Sequence, residues 1–138
     1  MKLKLYITDK IARILAGVKI NRMEDRRAKS ALMQDYLALR KVLKSAQEDK
    51  DEIARKFQED WKEEFFTVER LIKANQPVIG HEEYLKAKSD AERAIQDLFG
   101  KEVEVTLTAV PFDALDDVSD DLTLEQVAAL MDAGIIKE

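Results

Sequence analysis

The side chains able to do chemistry in this chain are few and poorly grouped. There is one histidine, His81, directly after Gly80, and no cysteine anywhere. Zinc prefers tetrahedral sets of nitrogen and sulfur donors, so a lone imidazole leaves carboxylates to fill almost every remaining position, which suits that metal badly. Ser30, Ser45, Ser89 and Ser119 have no histidine beside them in any motif, so no nucleophile comes with its base. Asp113, Asp116, Asp117, Asp120 and Asp121 crowd one stretch and invite Ca²⁺ or Mg²⁺. That stretch lacks the alternating ligand positions, the turn glycine and the closing glutamate of a calcium loop. The four glycines are dispersed and cannot build a phosphate-cradling loop. The expectation is a protein that is not an enzyme, with no catalytic residue, metal or cofactor. His81 then marks a helix start, and the aspartates form a solvated acidic surface.

The residue types suited to association are better organised. Arg22, Arg26, Lys29, Arg40 and Lys44 project within about 60° of one another on a helix of 3.6 residues per turn. Such a stripe can track phosphates, with strong salt dependence. About a quarter-turn away, Leu32, Tyr36, Leu39 and Leu43 form an apolar seam that Phe57, Trp61 and Phe65 continue. Packed inside, the seam is core; exposed, it is a partner-docking or self-association face. Charge is divided along the chain: residues 1–46 carry a net +8 and residues 47–138 a net −13. A division this large serves either charged partners or pairing of the two halves within one fold.

The elements that must hold these residues follow from periodicity. Leu3, Leu5 and Ile7 alternate with Lys2, Lys4 and Tyr6, which predicts an N-terminal strand. Thr8 or Asp9 then caps a short helix whose apolar face is Ile11, Ile14, Leu15 and Val18, with Gly17 a place where it can end early. From Glu24 to Ala74 the pattern is helical with no Gly or Pro inside. Its seam holds a spacing of four and three up to Phe57, then runs four and four through Trp61 and Phe65, a drift that alters local winding. The polar run 47–52 is the place where a continuous helix would fold into a hairpin, and the continuous helix is favoured. Asn75 caps the end, and Pro77 to Gly80 connect to a helix over 81–99 that Gly100 stops. Residues 102–110 alternate strictly and predict a strand that pairs with the N-terminal one. Thr123 caps a final helix over 124–132, Gly134 ends it, and Ile135 and Ile136 pack back.

The fold expected is mainly α: a long amphipathic helix, or a helical hairpin, packed with shorter helices, plus a two-stranded sheet joining the N-terminal strand to residues 102–110. Residues 1–138 are expected to form a single domain, with room for a projecting coiled coil within 24–74. At 138 residues and 37% charged, with four Gly and two Pro, the composition suits long solvated helices. The opening Met-Lys-Leu-Lys-Leu has no apolar leader segment, and no stretch reaches the roughly 20 apolar residues a membrane span needs. A cytoplasmic protein of a bacterial cell, with no membrane contact, is the expectation.

The Met-Lys-Leu opening, the Tyr36-Leu37-Ala38-Leu39-Arg40-Lys41 helix and the strand Glu102 to Leu107 with its Asp-rich link through Leu115 form one layout with the terminal helix Leu124-Glu125-Gln126-Val127-Ala128-Ala129-Leu130. That layout resembles an uncharacterised family of small phage and prophage proteins. The resemblance implies a mobile-element origin and assigns no activity. Three functions are compatible with the residues. The first is an accessory, adaptor or assembly factor that binds a protein partner, or its own copies, through helical interfaces. The second is an inhibitor of a host defence protein, such as a nuclease, acting through the acidic surface. The third is an accessory protein that contacts nucleic acid with the basic stripe.

Overall fold

Leu5 decides how the chain begins. In the computed structural model, which describes all 138 residues, strand β1 is only Lys2–Lys4 and helix α1 runs Leu5–Ala16. The expected strand through Ile7, with a cap at Thr8 or Asp9, is therefore corrected. Leu5, Thr8, Ile11, Ala12 and Leu15 are all buried, so a helical repeat from Leu5 hides more of the segment than alternation would. Thr8 donates its hydroxyl back to the Lys4 carbonyl at 3.2 Å instead of capping. The Leu5 N–H, an orphan donor at the helix start, is satisfied by the Lys101 carbonyl at 3.0 Å. Gly17 closes α1.

A 3₁₀ turn, Ile20–Arg22, precedes the long helix α2, Arg26–Asp60. Asp25 starts it, its Oδ1 accepting from the N–H groups of Arg27 and Ala28 at 3.0 and 3.1 Å. The polar run 47–52 is helical throughout, so there is no hairpin there. The interruption falls at Trp61, with φ −123° and ψ 32°, and α3 follows as Lys62–Lys73. This corrects the expectation of one unbroken helix to residue 74. Hydrogen bonds from Trp61 N–H to the Phe57 carbonyl (3.1 Å) and from Phe65 N–H to the Trp61 carbonyl (2.8 Å) continue on both sides, so Trp61 is a kink and not a turn. It lies where the seam spacing drifts.

Two compact units result, Met1–Ser45 with Gly100–Glu138, and Ala46–Phe99. In the first, β1 pairs antiparallel with β2, Glu102–Glu104, placing Leu3 opposite Val103. The expected strand over 102–110 divides. Val105 donates to the Met1 carbonyl at 2.9 Å, and the Thr108 N–H goes to Asp35 Oδ1 at 2.7 Å. Beyond it β3, Val110–Pro111, joins a second sheet as the parallel partner of β4, Ile136–Lys137. Parallel strands need a crossover. Here it is the 3₁₀ segment Phe112–Asp121 and helix α5, Leu124–Asp132. Thr123 and Gln126 form a reciprocal capping box at the start of α5. At its end Gly134 takes φ 77°, with Ile135 N–H bonded to the Leu130 carbonyl at 3.0 Å. The core of this unit gathers Ile11 and Leu15 of α1, Leu32 and Leu39 of α2, Val118, and Leu130, Ile135 and Ile136 from the C-terminal end.

The second unit holds the rest of α2, then α3, and α4, Glu82–Phe99. Its centre is Tyr84, fully buried, against which the rings of Phe57 and Trp61 pack at 5.5 and 6.0 Å between centroids. The Tyr84 hydroxyl donates to Glu69 Oε1 at 3.2 Å, and Lys88 Nζ donates to the same oxygen at 2.7 Å. Asn75, with φ 55°, ends α3: its own N–H reaches the Ile72 carbonyl and the Gln76 N–H reaches Leu71. No helix is long and apolar enough to cross a membrane.

Candidate functional site

Each group of candidate residues has a definite place. Leu32 and Leu39, at 2% and 0% exposure, lie in the core of the first unit. Tyr36 and Leu43 beside them are half-buried. The first half of the seam is therefore internal packing, and it presents little surface to a partner. Phe57, Trp61 and Phe65 are half-buried in the second unit, the first two committed to Tyr84. Phe65 meets Phe66 edge-on at 5.5 Å, and Phe66 itself is 65% exposed.

The basic stripe loses one member and keeps four. Arg22 lies in the 3₁₀ turn ahead of α2, where its Nη1 stands 3.9 Å from Asp121 Oδ1. Residues 23–25 separate that turn from the helix, so the continuous helical spacing assumed for Arg22 is absent. Arg26, Arg40 and Lys44 are exposed on α2, and Lys29 is half-buried.

The acidic stretch is partly internal. Asp117 Oδ2 accepts from Glu24 N–H, and Asp121 Oδ2 from Lys19 N–H, both at 3.0 Å. The charge division thus acts in part within the first unit, where aspartates of the C-terminal segment satisfy the turn before α2. Asp113, Asp116, Asp117 and Asp120 are nonetheless exposed, and Asp121 is half-buried. Glu24, Asp25, Asp113, Asp116 and Asp117 line a shallow acidic cleft beside Pro111. No three of the His, Asp and Glu side chains converge in a way that would hold a metal ion. His81, directly before α4, lies with Nδ1 3.1 Å from Glu64 Oε2, and its carbonyl accepts from the Leu85 N–H at 3.0 Å.

A feature the seam and the stripe did not reveal separately lies in the first unit. Leu15, Val18 and Ile20 on one wall, with Met33, Tyr36 and Leu37 of α2 on the other, line an apolar groove of about 280 Å³. Leu37 is 63% exposed and Met33 46%. At 100° per residue, Arg26, Lys29, Met33, Tyr36, Leu37, Arg40 and Lys44 share a sector of about 100°. The basic stripe and the exposed apolar residues are one strip. Its cations form two pairs, one on each side of an apolar middle. Arg40 lies over the Tyr36 ring at 5.8 Å and donates from Nη1 to the Tyr36 hydroxyl at 3.3 Å. Asp35 is the sole acid of α2 before Glu48, and it is 2% exposed. The signal was present in the sequence as Met33 and Leu37 four residues apart, one position off the seam.

Compared with protein-family models, curated proteins and solved structures, the chain matches none of them.

Proposed function

We propose that the chain is a non-enzymatic binding module, an accessory or assembly factor of phage or prophage type that docks a partner protein in the cytoplasm of a bacterial host. One observation carries the reading: the apolar groove of the first unit, in which Met33 and Leu37 stay exposed although a well-packed core lies directly behind them. Exposed aliphatic side chains that converge on a groove gain most when a partner covers them.

The test is a pull-down from lysate of the expressing cell with the full chain, treated and untreated with nuclease, beside a Met33→Ser/Leu37→Ser variant. The expected result is one dominant protein that survives nuclease and is lost with the double variant. Recovery of nucleic acid alone, or a partner indifferent to the variant, overturns the reading.

The acidic cleft favours a second reading, an inhibitor that presents carboxylates to a basic groove of a defence protein. Asp117 and Asp121 hold backbone N–H groups, so changing them would loosen the turn before α2 as well as the surface. Reversal of Asp113, Asp116 and Asp120 to lysine is expected to abolish inhibition under this reading; unchanged inhibition removes it.

A further inference from the structure

Resting on the proposed docking groove, we infer that its occupant is an acidic amphipathic segment of a partner protein. Its apolar side chains lie over Met33 and Leu37, and its carboxylates lie against Arg26 and Lys29 at one end and Arg40 and Lys44 at the other. The strip dictates this order of chemistry. From Arg26 to Ser45 every exposed charge on α2 is cationic, since the single acid, Asp35, is buried. A partner that fills the apolar middle therefore meets ammonium and guanidinium groups on both sides. An acid at those positions is attracted, and a base is repelled. From Arg26 to Lys44 the strip is about 27 Å long at 1.5 Å per residue, the reach of a helix of about 18 residues. A helix in this groove would read as apolar anchors at i, i+3 or i+4, and i+7 with acids in its outer turns.

A polyanion fits the same strip less well. The middle of the strip is aliphatic, and methionine and leucine offer no stacking face to a base. The one aromatic, Tyr36, is already covered by Arg40. The acids of the chain's own 112–121 segment are not the occupant, because Asp117 and Asp121 tie that segment to Glu24 and Lys19.

The experiment selects peptides on the immobilised full chain from a displayed library of random 18-residue sequences. Enriched peptides are then synthesised and titrated by fluorescence anisotropy, with an 18-nucleotide single-stranded DNA in parallel. The expected peptides carry Asp or Glu flanking Leu, Met or Phe at helical spacing. Their affinity should fall at least tenfold with Leu37→Ser, and at least tenfold with Lys29→Glu/Arg40→Glu, and should weaken with added salt. Circular dichroism of each variant checks that the fold is intact, above all for Lys29→Glu, where the side chain is half-buried. Neutral or basic apolar peptides that are lost with Leu37→Ser overturn the acidic occupant and leave the docking groove standing. No enriched peptide, peptides indifferent to Leu37→Ser, or tighter binding of the DNA overturns both.

Discussion

Asp35 is the residue with the least comfortable environment. Its Oδ1 accepts from the Thr108 N–H, but its Oδ2 is buried without a partner. Burial pushes its carboxyl above the ordinary value of 3.8, opposed by the Thr108 hydrogen bond. A carboxyl whose pKa is higher in the folded than in the unfolded chain takes up a proton on folding, so protonation favours the fold. The cost of the buried charge is full above the folded pKa and fades as pH falls through it toward the unfolded value. Wild type should therefore gain stability relative to Asp35→Asn as pH drops from 7 to about 4, measured by urea unfolding at each pH. A constant difference between the two proteins would contradict this. Asn75 supplies a second test at this scale. Its φ of 55° is strained for a side chain with a Cβ, so Asn75→Gly should be neutral or stabilising. Asn75→Ala should cost about 1 kcal/mol by the same denaturation assay.

At the scale of elements, what the sequence makes legible is burial more than pairing. Along 102–109 the odd positions Val103, Val105, Leu107 and Ala109 are buried or half-buried and the even ones exposed, as alternation implies. The pairing of Glu102–Glu104 with β1 is carried one residue further by the Val105 bonds to Met1, and beyond it the Thr108 N–H goes to Asp35 instead of a strand. No local pattern announces a partner that lies 73 residues away in the chain. The two-residue strands β3 and β4 are too short to show a period at all. By contrast α5, its Thr123 cap and Gly134 were readable because helix-end chemistry is local. A break was expected, if anywhere, at the polar run 47–52; the kink falls instead at Trp61, where the seam spacing drifts, because a change of winding does not by itself announce a break. The long helix also hid its exposed residues: the regular seam runs through Leu32 and Leu39, and Met33 and Leu37 lie one position off it. Tyr84 tests the second unit's packing. With Val68 and Ala46 it is among the few buried apolar residues of 46–99, so Tyr84→Ala should cost about 3 kcal/mol or more. Amide exchange in α3 and α4 should rise with it, as hydrogen–deuterium exchange can follow.

For the whole molecule, the charge division has two uses. Aspartates 117 and 121 spend theirs inside the first unit, while the cations of the α2 strip remain on the surface. This separates two substitutions that the sequence alone would treat alike. Leu39→Asp puts a charge at a position with 0% exposure and should unfold the first unit, whatever the chain binds. Leu37→Asp changes a residue that is 63% exposed and should leave the thermal midpoint within about 2 °C of wild type while abolishing docking. The most direct measurement places a photo-crosslinking amino acid at Leu37, and in a separate chain at Gln34, which is exposed on α2 outside the strip. After irradiation in the expressing cell and nuclease treatment, the account predicts one discrete cross-linked protein from position 37 and none from position 34. Equal products from both positions, or none from either, would contradict the claim that this strip is a docking surface for a protein.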